Sequence, residues 1–179
     1  MSTFTFAQDY KKFKVGIGLG YAMASGDGSG GGILFALEPA YRLQDNLSLG
    51  LRMESAAITR GFSQSTAGAT VSVAAVSSYT LNGQYYFGTS SFRPFLGAGL
   101  GMYSLAAVSV SVGPISGEAA AAETKFGFYP RAGFDIGHFN VTLDYNLIPA
   151  TSVGGTSGAE VKNSYFGIRV GAFFGGGKK

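Results

Sequence analysis

Ten charged side chains lie in segments that are otherwise built from small residues and large apolar residues in alternation. In a segment with a period of two, side chains at every second position share one face of a β-sheet. Acids and bases gathered on one face can form buried ion pairs, and two neighbouring carboxylates can share the acid-base work of hydrolysis. The ten residues are Lys14, Glu38, Arg42, Arg52, Glu54, Lys125, Arg131, Asp135, Asp144 and Arg169.

Glu38 and Glu54 are the carboxylates best placed for a hydrolytic pair, because a short turn folds their two segments together. If Leu43 pairs with Leu47 across that turn, Glu38 lies directly opposite Arg52, since inward residues can oppose only inward residues. Each carboxylate then has an arginine nearby. This arrangement favours a structural ion pair over acid-base catalysis.

A second tight turn, at residues 137–140, brings Asp144 within reach of Arg131 or Asp135. Arg169 has glycine two residues away on either side, so its side chain has room to extend across the interior. Buried charges must be paired, because a low-dielectric interior penalises an isolated ion. We therefore expect a plugged interior of salt bridges and tyrosines, without an open pore.

Two other features suggest chemistry but fit it poorly. His138 is the only histidine, and with no serine placed beside it we interpret it as an exposed turn residue. The Gly16-Ile-Gly18-Leu-Gly20 stretch lacks the third glycine and the following helix of a dinucleotide-binding loop. A helix-dimer interpretation requires about twenty apolar residues, and Asp27 follows too soon.

The elements that must position these residues are strands, because apolar residues recur at every second position in each segment. Even-numbered positions from Lys14 to Ala22 are mostly small, whereas odd-numbered positions from Phe13 to Met23 are large. The same alternation recurs in seven further segments. The predicted strands cover residues 13–23, 33–43, 47–54, 71–87, 93–105, 125–136, 141–147 and 165–174.

The connections alternate between short turns and longer loops. We expect polar loops at 57–70 and 149–162 and a long connection at 105–123. Residues 71–78 and 105–122 are expected to form a protruding sheet, and the SGEAAAAETK stretch fits either a helical turn or, as we favour, one side of a hairpin. Both chain termini then lie at the short-turn end.

The size of the side chains decides which face of the strands points inward. An eight-stranded barrel has an interior just wide enough for side chains to fill, so small residues belong inside and bulky ones outside. A soluble barrel would reverse this arrangement and expose rows of glycine to water without any gain in packing. Aromatic residues also cluster near both ends, as interfacial girdles require. They are Phe13, Tyr41, Phe87, Phe92 and Phe174 at the short-turn end and Tyr21 and Tyr79 at the other.

Composition excludes several classes of protein. Charged residues make up 13% of the chain, hydrophobic residues 46%, and glycine contributes 29 of 179 residues. No run of 18 or more apolar residues exists, so a membrane-spanning helix is not predicted. The net charge of +3 is scattered, which gives no nucleic-acid footprint, and the absence of cysteine excludes disulfides and cysteine-ligated metals. We therefore predict an all-β, eight-stranded antiparallel up-and-down transmembrane β-barrel.

The chain divides into three parts on this interpretation. Residues 1–10 form an N-terminal segment in which Phe4 to Ala7 resemble the tail of a signal peptide. Residues 11–174 form the barrel domain. Residues 175–179 form a C-terminal tail.

Three stretches carry a resemblance to a known family: RPFLGAGLG, VGIGLGYA and the terminal FGIRVGAFF. They resemble the small outer-membrane β-barrel proteins of Gram-negative bacteria, the OmpA-transmembrane, OmpX and OmpW-like group. The resemblance implies location in a bacterial outer membrane, a buried acid and base network, and a last strand read by the outer-membrane assembly machinery. That strand would present Phe166, Ile168, Val170, Ala172 and Phe174, although this chain continues with GGGKK.

The predicted function is non-enzymatic: a structural or surface-interaction role through extracellular loops, without cofactor or metal. The alternative is an OmpW-like passage for small hydrophobic molecules, with Val76, Tyr103 and Leu105 lining an apolar outer half of the lumen. A lipid A-modifying enzyme that uses His138 is a third hypothesis. We expect a monomer whose partners are outer-membrane lipid or lipopolysaccharide and the assembly machinery, and no nucleic acid.

Overall fold

The computed structural model describes residues 10–25, 30–65, 68–88, 90–112, 117–119, 123–153 and 159–177. Its elements are all β-strands, and these residues contain no helix long and apolar enough to cross a membrane. The strands are β1 Phe13–Ala24, β2 Gly31–Gln44, β3 Leu47–Ser65, β4 Gly68–Tyr86, β5 Phe92–Val112, β6 Gly117–Ala119, β7 Glu123–Ile136, β8 Phe139–Asn146, β9 Thr151–Val153, β10 Ala159–Val161 and β11 Tyr165–Gly175.

Eight long strands close into one antiparallel barrel. Each strand pairs with its neighbour in the order β4, β3, β2, β1, β11, β8, β7 and β5, and pairing of β4 with β5 completes the ring. The first and last strands meet along a seam that runs from Lys14 opposite Gly175 to Ala24 opposite Tyr165. The predicted eight-stranded antiparallel barrel is therefore confirmed.

Large apolar side chains cover the outer surface of the barrel, as the alternation of side-chain sizes predicts. Leu19 is 68% exposed and Val170 is 60% exposed, although both lie in the middle of long strands. The alternate positions of the strands face inward and carry small residues such as Gly16 and Ala36, which are buried. Such a surface suits contact with lipid rather than water.

The loop predicted at residues 57–70 is wrong. Strands β3 and β4 instead continue as a hairpin from Ile58 opposite Ala74 to Ser65 opposite Gly68. Serine, threonine and glycine suggested a loop, but the alternating Val, Ser, Thr and Ala of the facing strand supports pairing, and the register shifts by one residue at an irregularity between Thr59 and Gly61. The paired strands of the barrel therefore continue through the segment where a long loop was predicted.

This extension includes β5 and β6. Strand β5 pairs with β4 as far as Ala69 opposite Val112, and β6 adds to β5 through Val108 opposite Ala119. The SGEAAAAETK stretch thus contributes a strand at 117–119, in agreement with the hairpin interpretation; residues 120–122 lie outside the described residues. The protruding sheet consists of the upper parts of β3, β4 and β5 together with β6.

The last long loop also contains a sheet that the sequence did not predict. Strands β9 and β10 pair from Ala159 opposite Val153 to Val161 opposite Thr151. The predicted last long loop at 149–162 does connect two barrel strands, and it contains this short hairpin in addition. Thr, Val and Ala favour strands, but three residues are too few to show periodicity.

Register between β2 and β3 follows the predicted alignment over most of its length. Leu37 opposes Met53 and Arg42 opposes Ser48, which places Glu38 across from Arg52. An irregularity between Arg42 and Gln44 then pairs Gln44, not Leu43, with Leu47. The turn itself contains two residues rather than three.

Candidate functional site

The ten predicted charges all lie on the inward positions of barrel strands. Eight of them are buried, while Glu38 and Lys125 are partly exposed. An eleventh charge, Arg93 on β5, is also buried and was missed. The signal was present, because Arg93 shares the parity of Gly97 and Gly99 in the RPFLGAGLG stretch.

Four charges form the centre of the interior, with two arginines shared between two acids. Arg169 binds Glu54, with Nη1 2.7 Å from Oε2, and also binds Asp144 through Nη2. Arg52 Nη1 lies 3.5 Å from Glu54 Oε2 and 3.4 Å from Asp144 Oδ1. Because each acid contacts both bases, the four charges neutralise one another within the barrel.

Polar side chains from three strands, β5, β8 and β11, complete this centre. Tyr165 donates to Glu54 Oε1 at 2.6 Å, and Asn146 Nδ2 donates to Asp144 Oδ1 at 2.7 Å. Arg52 Nη2 and the Tyr103 hydroxyl both donate to Asn146 Oδ1, at 2.7 and 2.8 Å. Hydrogen bonds to the remaining lone pairs are what make a buried charge cluster tolerable.

Glu38 pairs with an arginine other than the one directly opposite it. Its Oε1 accepts from Arg131 Nη1 at 2.7 Å and from Gln84 Nε2 at 2.5 Å. Arg131 lies opposite Asp144 in register, yet its ion pair crosses the barrel to β2. The predicted backbone neighbours are present, since Glu38 lies opposite Arg52 and Asp144 lies opposite Arg131. Glu38 nevertheless pairs with Arg131, because the arginine side chain is long enough to cross the interior.

The short-turn end has a second group of charges. Lys14 Nζ lies 2.7 Å from Asp135 Oδ2 and donates to the Tyr86 hydroxyl at 3.2 Å. Arg93 Nη2 and Arg42 Nη1 donate to the backbone oxygen of Asp45, at 2.5 and 3.3 Å.

Aromatic rings hold those two arginines in place. The Tyr10 ring lies 4.0 Å from the Arg93 guanidinium and 4.7 Å from that of Arg42. The Tyr86 ring contacts the same two groups at 4.5 and 5.4 Å. Cation–π contacts thus close this end of the interior around Tyr10.

The inward glycines make room for these large side chains. A Cβ atom at Gly20 would lie 2.7 Å from Arg169 Cγ, and one at Gly99 would lie 2.5 Å from the Tyr129 hydroxyl oxygen. Both distances are far shorter than van der Waals contact. The glycine rows therefore face the arginines and tyrosines of the network.

The other half of the interior is apolar. Val76 and Tyr103 are buried in one cluster, and Leu105 packs against it, so all three residues predicted to line an apolar lumen lie together. The cluster contains Ala22, Leu34, Ala56, Ile58, Val76, Tyr103, Ile148 and Tyr165. Its side chains contact one another above the central charges.

Polar contacts fasten the last long loop over this end. Lys125 donates to the backbone oxygen of Ala150 at 2.5 Å and pairs with Glu123 at 3.1 Å. Thr151 Oγ1 donates to Glu123 at 2.9 Å, and this hydrogen bond, with that from Lys125, lowers the pKa of Glu123 at the exposed end of β7. Asn163 Nδ2 donates to the Pro149 oxygen at 2.7 Å and to Thr151 Oγ1 at 2.9 Å.

His138 lies in the turn between β7 and β8, with its ring centroid 5.6 Å from that of Phe173. His138 is exposed, as the sequence interpretation of a turn residue expects, and Ser90 and Ser91 line the same cavity. Ser90 Oγ, however, donates to the Phe92 oxygen at 2.6 Å. Within the described part of the chain, no group of three His, Cys, Asp or Glu residues could hold a metal ion.

The five residues of the predicted assembly signal alternate outward along β11. Ile168, Val170 and Phe174 are exposed, and Phe166 and Ala172 are partly exposed. Assembly machinery that binds the lipid-facing side of the last strand would contact these side chains. Their role as an assembly signal stays a prediction.

A closed eight-stranded barrel with an apolar outer surface, a charge-filled interior and short turns at one end defines the class of small outer-membrane β-barrels. The family model for the outer membrane protein beta-barrel domain matches residues 1–174. The chain therefore belongs to the outer membrane protein beta-barrel domain family and is located in the bacterial outer membrane. In barrels of this class the short turns face the periplasm and the long loops face the exterior.

Solved structures of small outer-membrane barrels share the fold. Neisserial surface protein A (NspA) is 20% identical with a TM-score of 0.55, covering 91% of this chain and 96% of that one. OprG from Pseudomonas aeruginosa is 19% identical with a TM-score of 0.55, covering 94% and 99%. Ail, the attachment invasion locus protein of Yersinia pestis, is 18% identical with a TM-score of 0.52, covering 92% and 99%. No curated protein sequence matches the chain.

Proposed function

We propose that this protein is a plugged, non-enzymatic outer-membrane barrel whose extracellular sheet and loops contact partners at the cell surface. The observation that carries the proposal is the shared pairing of Arg52 and Arg169 with Glu54 and Asp144, which spans the interior from β3 to β8 and β11. A side-chain network that crosses the lumen leaves an ion no free path.

Both ends of the barrel support a closed interior. At the periplasmic end, Tyr10 stacks on the guanidiniums of Arg42 and Arg93. At the extracellular end, Ile148 inserts into the apolar cluster, and Ser164 Oγ accepts from its backbone N–H at 3.2 Å. These contacts support a closed interior in addition to the central ion pairs.

The height of the wall supports a surface role. Strand β4 extends eleven residues from the girdle residue Tyr79 to Gly68, which corresponds to about 35 Å of strand. Paired strands of this length extend beyond the hydrocarbon core and present their surface outside the membrane. The name of the neighbour Ail describes a role in attachment for that protein, and the shared fold is consistent with such a role here.

Single-channel recording in a planar bilayer tests the plug. The unmodified protein should give no steady open current. An Arg52→Ser/Arg131→Ser variant, with folding checked by heat-dependent mobility in detergent gels, serves as the hollowed comparison and should conduct more. A steady current through the unmodified barrel would refute the plugged interior.

Site-specific crosslinking tests the surface role. A photo-crosslinking residue at Ala75, on β4 above the Tyr79 girdle, should give a discrete crosslinked product on living cells. The matched position is Leu81, which is exposed to lipid on the same strand and should give lipid adducts only. Equal product patterns at both positions would count against a surface partner.

Passage of small hydrophobic molecules is the second candidate, favoured by the apolar cluster in the outer half of the interior. Such passage requires Val76, Tyr103 and Leu105 to separate, whereas here they pack together. Uptake of a fluorescent hydrophobic probe into proteoliposomes distinguishes the two functions: uptake that is faster with the protein than with empty liposomes, and that is lost in Val76→Trp, would favour passage.

A further inference from the structure

A groove of about 830 Å³ crosses the lipid-facing surface of strands β2 to β5. Its floor is the backbone of four inward residues that pair in register from strand to strand, namely Ala40, Gly50, Asn82 and Gly99. Ligand pockets in proteins usually measure about 300–1,000 Å³. The groove is therefore large enough for a flexible hydrocarbon chain.

Outward residues on either side of this floor set the depth of the groove. Gly83 and Ala98, which oppose each other on β4 and β5, leave one side open. A Cβ atom at Gly83 would contact only Leu49, at 3.6 Å, so a larger side chain has room there. The remaining walls are exposed large apolar side chains, those of Phe13, Tyr41, Leu49, Leu51, Leu81, Leu100 and Phe128.

The groove rises from the short-turn end of the barrel toward the middle of the membrane. Tyr41 lies three residues before the last residue of β2, whereas Ala98 lies six residues after the first residue of β5. On β4, Gly83 is midway between the girdle residues Tyr79 and Phe87. The groove thus connects the periplasmic interface with the centre of the hydrocarbon.

A second copy of the chain is a poor occupant for this recess. Copies inserted in one membrane have the same orientation, so the axis of a two-fold dimer runs along the membrane normal and keeps every residue at its own depth. The recess beside Gly83 would then face the same recess of the other copy and leave a void between them. A flexible hydrocarbon chain can follow the groove instead.

Positive charge lies at the periplasmic end of the groove. Lys11 and Lys12 are exposed and directly precede β1, and the backbone oxygen of Lys12 accepts from the N–H of Arg42 at 2.7 Å. The partly exposed Asp45 in the next turn is the acid of this region, and its Oδ1 accepts from the backbone N–H of Tyr10 at 3.3 Å. Because the bases outnumber this acid, the end of the groove suits a phosphate group.

We propose that the groove binds one acyl chain of a glycerophospholipid of the periplasmic leaflet, with the headgroup phosphate beside Lys11 and Lys12. The chain would lie over the floor between the two walls and end near Leu100. A chain in this groove loses more apolar surface to the protein than one that lies against the outside of a strand, and it should exchange more slowly. The site does not depend on the proposed surface role, because it lies within the membrane.

Lipid retention measured by native mass spectrometry tests the proposal. The protein is reconstituted in vesicles of phosphatidylethanolamine and phosphatidylglycerol, extracted with excess mild detergent, and weighed with the lipid that stays bound. The unmodified protein should keep about one phospholipid per barrel. Ala98→Phe and Gly83→Leu should each lower this retention about tenfold or more, since the loss of contact with two methylene groups already has that effect.

Ala172→Phe is the matched control, because Ala172 also faces outward, on β11, and does not line the groove. It should retain phospholipid as the unmodified protein does. Heat-dependent mobility in detergent gels checks that each variant is folded. Lys11→Gln/Lys12→Gln should reduce retention severalfold at low salt, and unchanged retention would contradict the placement of the headgroup.

A phospholipid with a diazirine near the methyl end of one acyl chain provides a second measurement in the same vesicles. Illumination should label residues 98–100 severalfold more than residues 168–170, which also face lipid, and Gly83→Leu should abolish the difference.

Three results would overturn the site. They are the absence of retained phospholipid in the unmodified protein, equal retention in Ala98→Phe and Ala172→Phe, and equal labelling of the two segments. A mass of two chains without phospholipid would also contradict the proposal, because it would assign the groove to a second copy.

Discussion

Gly20 lies directly opposite Arg169 in the seam between β1 and β11, and a Cβ atom at residue 20 would lie 2.7 Å from Arg169 Cγ and nearer still to the backbone oxygen of Ile168. At Gly18 on the same strand, a Cβ would lie 3.9 Å from Arg169 Cδ, which is ordinary contact. Gly18 and Gly20 occupy alternate positions on the same face of β1, but only residue 18 has room for a larger side chain. The difference gives a matched pair of substitutions.

Gly20→Ala should lower the free energy of unfolding by about 1–3 kcal/mol, because the added methyl group forces Arg169 and the backbone apart. Gly18→Ala should change it little. Urea-induced unfolding in lipid vesicles measures both. Equal losses for the two variants would contradict the close approach of β11, through Ile168 and Arg169, at residue 20.

Asp144→Asn should destabilise the barrel by about 3 kcal/mol or more, because Arg52 and Arg169 would then share one acid. The same urea titration measures it. Glu123→Gln removes an exposed carboxylate that pairs with Lys125 at the rim and should have little effect, since exposed ion pairs are screened by water and salt. A neutral outcome for Asp144→Asn would mean that the central charges are solvated.

Val170→Arg should cost about 2–4 kcal/mol, since Val170 lies midway along β11 on the lipid-facing surface. Val161→Arg, in the extracellular hairpin formed by β9 and β10, is its control and should be nearly neutral. Folding yield and unfolding free energy in vesicles provide the comparison. If both positions tolerated arginine, the outer surface at Val170 would not face hydrocarbon.

Asn163→Ala should loosen the last long loop, because the amide holds Pro149 and Thr151 together. Trypsin cleavage after Lys162 should then become several times faster in intact cells. Barrel stability should change less, since the removed contacts lie outside the membrane. An unchanged cleavage rate would show that Ile148 and Ser164 suffice to fix the loop.

Which face of each strand points inward could be predicted from residue size alone. The alternation of small and large residues around Gly16, Gly18 and Gly20 places lipid and lumen correctly, because a narrow barrel admits few large side chains. The same parity contains Arg93, which was overlooked because it comes at the start of a strand and precedes a proline.

The ion pairs could not be predicted in the same way. Register gives neighbours on adjacent strands, whereas Glu38 on β2 pairs with Arg131 on β7. An arginine side chain reaches across a narrow lumen, so its partner depends on three-dimensional closure. The extended hairpin at 57–70 was missed for another reason: its serine and glycine content is typical of loops, and only the facing strand makes pairing favourable.

The seam between β1 and β11 has a consequence for the order of assembly. Arg169 lies on the last strand, whereas Glu54 lies on β3, so this acid lacks the guanidinium until the C-terminal strand arrives. Closing a loop of nearly the whole chain is entropically costly and therefore late. Ring closure thus supplies the second base of the central group, and in a chain truncated before β11 Glu54 and Asp144 would share Arg52 alone.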